Sequence, residues 1–488
     1  AGTQRIEVYR YFDASGNETR TWRNYVTSDG NAPAAPGDPH DPDTFSKNSA
    51  PMSPTWAEVT RSFDLGDRLL SETSDAVAGA PVETVTRTSE YDALGNRTAK
   101  ISPLLHRTGW EYDERNLVIR RIEGDGSAGE GVYETDYSLN GGVAAERTPL
   151  GNETTHSFDG FGRERQVTDP AGAKTEFSYD ANGNVISERH ADSADVTLKQ
   201  TDWEYDELDR VNGKSVLAKD ANGVPIASGS EETILTLDGR GAITALNNGP
   251  SRTWLFGYDA ARRLISRTDP AGNEVALTLN ANSDPTRIDY TDVNQATGAL
   301  EFSHWEADYN ALGLAVNVRD RRYQGAGFDT TVMFAYDGWS RLVRITEAGG
   351  NLVQYSYDLR SRPVERTEGP AGILFSDAKQ EWDRDDRVAR SSVGMDPLGG
   401  PDFQSTSYGY DERGRVTGVT RPDLSAAGFK YDADSNPVGL EDETGTSVSQ
   451  VFDARGLVSV RTIVPGGGTV GAMQEAYEYD GMGRRILA

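Results

Sequence analysis

One phrase of 21 residues recurs along the whole chain, and it limits the possible folds more than any other feature. It is seen whole at 169–189 as "DPAGAKTEFSYDANGNVISER". The units align on an aromatic residue or Leu followed by Asp, Asn or Ser. The second position of that pair falls at Asp13, Asp64, Asp92, Asp113, Ser138, Asp159, Asp180, Asp206, Asp238, Asp259, Asn280, Asn310, Asp337, Asp358, Asp383, Asp411, Asp432, Asp453 and Asp480. Eight of the eighteen gaps between these nineteen positions are 21 residues. A fixed period of this size marks a stack of supersecondary units, not one folded core.

Each unit reads as a hairpin. In "TEFSYD", Phe177 and Tyr179 alternate with Glu176 and Ser178, the period of two of a strand with one apolar face. "DANGN" supplies residues that tolerate positive φ and bond to nearby backbone, so the chain reverses. "VISER" returns, and "TDPAG" or a relative reverses the chain again. Two strands of about six residues and two turns of about four account for the period. Longer gaps are longer loops, the largest being the Pro-rich insertion 28–55. Helical periodicity is nearly absent.

Nineteen hairpins give about 38 strands, a strip roughly 180 Å long at ~4.8 Å per strand. Strand twist accumulates in one hand and sheets beyond about ten strands curl or close. The expected fold is therefore all-β: a long antiparallel strip of tandem hairpins wound into a spiral, hollow, shell-like barrel, with 1–488 as a single repeat array. Repeat text runs to both ends, so the chain is expected to be a segment of a longer protein. Hydrophobic residues are 36% of the chain and 52 residues are Gly, enough for a one-faced sheet and sparse for one compact core.

The composition narrows the function classes. The net charge of −28 disfavours phosphate backbones and anionic lipid. Without Cys there are no disulfides, thiolate metal sites or cysteine nucleophiles. No run of about 18 apolar residues suits a membrane span, and the start "AGTQRIEVYRYFD" has neither part of a signal peptide. Either an export signal lies outside this chain or there is none.

The repeated pattern DPxG, aromatic-x-YD, xxGR or xxGN resembles the Rhs, or YD-repeat, family. It is carried by "DPAGAKTEFSYDANGNVISER", "YDERGRVTGVTRPD", "YDALGNRTAK", "FDGFGRERQVTDPAG" and "YDGMGRRILA". The family includes bacterial polymorphic toxins, shell components of insecticidal toxin complexes, and teneurins. The resemblance implies a cocoon of β-hairpins that sequesters a C-terminal toxin effector, here outside the chain. It also implies a bacterial protein that is secreted or held at the cell surface. The toxin families end their repeats in an Asp-Pro self-cleavage core. The nearest text, "GMDPLGG" at 394–400, lies inside the array and lacks the Leu that follows the Gly of that core, so Asp396 is expected to be a turn residue. The expected function is a non-enzymatic shell segment, with a carbohydrate-binding or adhesive surface as the alternative.

No catalytic, cofactor or metal residue is assigned. The YD carboxylates invite an acid/base or sugar-site reading, but a constellation present in every unit is a structural one, with Asp bonding the turn and Tyr packing on the next hairpin. His40, His106, His156, His190 and His304 show no ligand spacing. The run "DPHDPD" at 38–43 lacks the ligand order of a calcium loop, and "PGGGT" at 465–469 is an inter-strand loop. Trp22, Trp56, Trp110, Trp203, Trp254, Trp305, Trp339 and Trp382 would stack on sugars if exposed and plug the wall if buried, and burial is the expectation.

Overall fold

The computed structural model describes residues 5–26, 57–75, 84–218, 224, 231–249, 252–294, 296–322, 329–371, 373–394, 403–467, 471 and 473–487. The insertion 28–55, His40, the run 38–43, Trp56 and Asp396 lie outside the described residues, as does the side chain of Trp22. The described residues form 39 strands, 37 of them in one sheet, and each strand pairs with its chain neighbour antiparallel. The strip of hairpins is thus present as expected.

The hairpin Lys174–Tyr179 with Val185–Ala191 shows the local construction. Its register runs from Lys174 opposite Ala191 to Ser178 opposite Ser187, then slips by one residue so that Tyr179 faces Val185. Asp180 N–H donates to Asn184 O at 3.0 Å, and Gly183 N–H donates back to Asp180 O at 3.2 Å. Gly183 has φ +96°. This is a three-residue loop closed by a left-handed residue and a bulge, which matches the twist of the flanking strands. The reversing element is therefore the four-residue span from Asp180 to Gly183, not the Asn-Gly pair alone.

The opposite turn, 169–173, is built alike: Asp169 N–H meets Ala173 O at 2.9 Å, and Gly172 has φ +84°. Where Gly is missing from the left-handed position another residue takes the strain, as at Asp209, Ser361 and Leu424. Because hairpins follow one another without a crossover, all Tyr-Asp turns lie along one edge of the strip. All turns of the second kind lie along the other.

The chain forms two compact units. One comprises 1–134, 333–447 and 466–468, and the other 135–332, 448–465 and 469–488. In the first unit, the Tyr-Asp turns 383–387 and 411–415 reach the second-kind turn 102–106 and the loop 124–130. In the second unit, Gly481 of turn 480–484 sits against turn 192–196, where an added Cβ would meet Asp192 Cα at 2.8 Å and Leu198 Cδ1 at 3.1 Å. The winding predicted from strand twist therefore occurs within each unit, and its edges meet through turns and side chains instead of a closing ladder. The fully covered apolar side chains are few and mostly small: Val85, Ala99, Val353 and Ala427 in the first unit, Leu198 and four Ala in the second.

Candidate functional site

The Tyr-Asp phrase is a clamp between successive hairpins. Asp383 shows it. Its Oδ1 accepts the N–H groups of Asp385 and Arg387, both at 2.9 Å, and its Oδ2 accepts Arg387 Nε at 2.7 Å. The same guanidinium donates forward to Asp411 O at 3.4 Å and lies 4.4 Å from the Tyr410 ring centroid. Tyr410 Oη in turn donates back to Val388 O at 2.7 Å. Asp159, Arg163 and Tyr179 repeat the arrangement, with Arg163 on Asp180 O at 3.3 Å and Tyr179 Oη on Glu164 O at 2.6 Å. Eight Arg at this position, among them Arg68, Arg210, Arg341 and Arg415, make the forward bond.

The Arg163 side-chain hydrogen bond holds Asp159 below the ordinary carboxylate range, and Arg68 and Arg210 do the same for Asp64 and Asp206. Each of these carboxylates is thus held in its charged form by the donors of its own turn. The sequence reading found the roles of Asp and Tyr. The Arg four residues on is the third member of the clamp, and the recurrent "GR" is its signal in the sequence.

The described histidines are dispersed, each beside a different carboxylate. His106 Nδ1 lies 2.7 Å from Asp385, His156 Nδ1 2.6 Å from Glu164, and His190 Nε2 2.8 Å from Glu188, while His304 Nε2 is 3.8 Å from Glu306. Among the described residues no three His, Asp or Glu side chains converge as metal ligands. The six described Trp are half-buried. Five lie under a cation, such as Trp110 under Arg97 at 4.8 Å and Trp382 under Arg362 at 5.3 Å, so those ring faces are occupied.

Among the described residues, a constellation of side chains that departs from the repeat lies at the seam of the first unit. Asp385 enters turn 102–106 from the other edge: its Oδ2 accepts Ser102 Oγ at 2.8 Å and its Oδ1 accepts Leu104 N–H at 3.0 Å, while His106 closes the third side. Arg413 is the second bolt. Its Nη2 donates to Glu123 Oε2 and to Tyr133 Oη, both at 3.0 Å, and its Nη1 to Ala433 O at 2.7 Å, leaving the side chain 2% exposed. Gly131 makes the space, since a Cβ there would lie 2.6 Å from the guanidinium carbon. Between the bolts, Asp386 joins Arg87 at 2.5 Å, Arg362 at 2.8 Å and Arg360. A cleft of about 380 Å³ remains, lined by Lys100, Thr108, Arg387 and Glu412. Its charges are mostly paired with one another or with their own turns.

The partners that meet across the seam lie 279 to 299 positions apart in the chain, so no local pattern announces them. The clamps themselves do match a known pattern: the RHS Repeat family model fits residues 158–195 and 336–372. Those two segments match the RHS repeat. It is 24% identical over 260 residues to the double-stranded DNA deaminase toxin A of Burkholderia cenocepacia strain H111, covering 50% of this chain and 16% of that toxin. The fold is that of the TcdB2-TccC3-Cdc42 crystal structure, with a TM-score of 0.64 and 13% identity over 98% of this chain and 27% of that one. A Photorhabdus luminescens Tc holotoxin pore gives 0.54 and 12% over 96% and 30%. The chain thus spans under a third of each of these relatives.

Proposed function

We propose that this RHS chain is a structural wall segment of a secreted bacterial toxin-type protein, and that it encloses a toxin polypeptide carried elsewhere in the same product. The observation that carries the reading is the seam: Asp385 and Arg413 bolt one edge of the strip to the other, which turns a sheet into a wall. The likeness to toxin components supports the class of cargo. The segment acts sterically, without a catalytic group of its own, as one continuous repeat array.

The test is limited proteolysis of the complete polypeptide that contains this chain, with and without Arg413→Glu and Asp385→Ala. An enclosed cargo resists cleavage in the parent and is cut faster once the bolts are removed. A cargo digested at the same rate in both, or one that is never protected, sinks the reading.

A further inference from the structure

Five Asn-Gly pairs occur in the sequence, and two of them occupy one repeat position, two and three residues after the aligned Ser or Asp. They are Asn140-Gly141 after Ser138 and Asn182-Gly183 after Asp180. Their turns are alike: Gly141 has φ +83° and donates to Ser138 O at 3.0 Å, and Gly183 has φ +96° and donates to Asp180 O at 3.2 Å. Both Asn are exposed.

The two side chains differ. Asn182 Nδ2 donates to Asp209 Oδ1 at 2.8 Å, on the next Tyr-Asp turn, whereas the Asn140 amide has no hydrogen-bond partner among the described residues. The cause lies one unit ahead. Asp209 holds the left-handed position of turn 206–210, and in turn 159–163 that position belongs to Gly162, φ +78°, which offers no side chain as acceptor.

Asn before Gly is prone to deamidation, because without a Cβ on the second residue its nitrogen can approach the amide carbon. The Gly nitrogen loses its proton and attacks Asn Cγ, the Cγ–Nδ2 bond breaks as ammonia leaves, and water opens the resulting succinimide to Asp or isoaspartate. The amide must swing toward its own backbone for this, and a hydrogen bond at Nδ2 to another turn opposes the swing. We propose that Asn140 is a site of spontaneous deamidation, and that Asp209 protects Asn182 from the same reaction. Asn212-Gly213 is guarded differently, since Gly213 pairs with Ile234 inside the ladder.

The 488-residue chain, aged in mildly alkaline buffer at physiological temperature, is followed by peptide mapping with mass spectrometry. Asn140 should convert at least about fivefold faster than Asn182, the factor that one net hydrogen bond supplies. Asp209→Gly removes the acceptor and suits the left-handed position, so Asn182 should rise to the Asn140 rate. Asp209→Asn keeps an Oδ1, as Asn116 does in accepting Asn96 Nδ2 at 2.8 Å, so Asn182 should stay slow. Asn140 in the same molecules reports any general loosening and should keep its rate in both variants. Equal rates in the parent, no acceleration in Asp209→Gly, the same acceleration in Asp209→Asn, or a rise at Asn140 alongside Asn182 overturns the proposal.

Discussion

Arg413 and Glu123 are 290 residues apart in the chain and meet at 3.0 Å, with the guanidinium almost fully enclosed beside Gly131. Removing one partner of a buried pair costs about 3–5 kcal/mol, and the partial exposure of Glu123 brings the expected loss nearer 2–3 kcal/mol. Arg413→Ala and Glu123→Gln should each lower the urea midpoint, and the double variant should cost less than the sum. Additive losses would mean that the two residues do not act together.

Gly131→Ala tests the same bolt from the other side. The new methyl group meets the guanidinium, so hydrogen exchange should quicken around 102–133 and 383–413 while distant hairpins of the same unit keep their protection. Unchanged exchange in those segments would show that Arg413 moves aside without loss.

Tyr179→Phe removes the bond to Glu164 O and leaves a backbone carbonyl short of a donor. A loss of about 1 kcal/mol is expected. Phe in place of Trp382, which donates to Pro363 O at the equivalent position, should behave alike, and both are read by denaturant titration.

Leu424 holds φ +67° at a turn tip and is 85% exposed, so it pays a left-handed penalty with little burial in return. Leu424→Gly should raise stability by about 1 kcal/mol. A fall in the thermal midpoint would show that the side chain is held by something outside the turn.

Acid should unfold the strip steeply. Asp64, Asp159 and Asp206 have folded pKa values below their unfolded value of about 4, chiefly through their Arg hydrogen bonds. Their contribution is complete above the unfolded pKa and is lost as pH falls through the folded values. Stability measured from pH 6 downward should stay level to about pH 4 and then drop. Replacing Asp159 and Arg163 together by Asn and Gln should flatten that drop.

The hairpins were legible in the sequence because their determinants are local. Period-two strands such as Lys174–Tyr179 and the Asp-x-x-Gly spacing of 180–183 each fit within a few residues. Ties between neighbouring hairpins were half legible: Asp180 and Tyr179 were read correctly, whereas Asn182 and Asn184, both 2.8 Å from Asp209 of the next turn, passed as turn formers only. The seam was not legible. Asp385 and Arg413 look like any other charge in "WDRDD" and "YDERGR", and only the winding of the strip decides that they are enclosed while Phe161, at the same repeat position, is not.

The forward reach of Arg387 and its equivalents gives the strip a direction in time. A hairpin leaving the ribosome closes its own turn at once, yet its Arg has no carbonyl or ring to hold until the next unit of about 21 residues emerges. At ~5–20 residues per second that is a wait of roughly one to four seconds. A newly made hairpin of this kind is therefore looser than those before it, and each of the eight Arg-bearing units is locked by its successor.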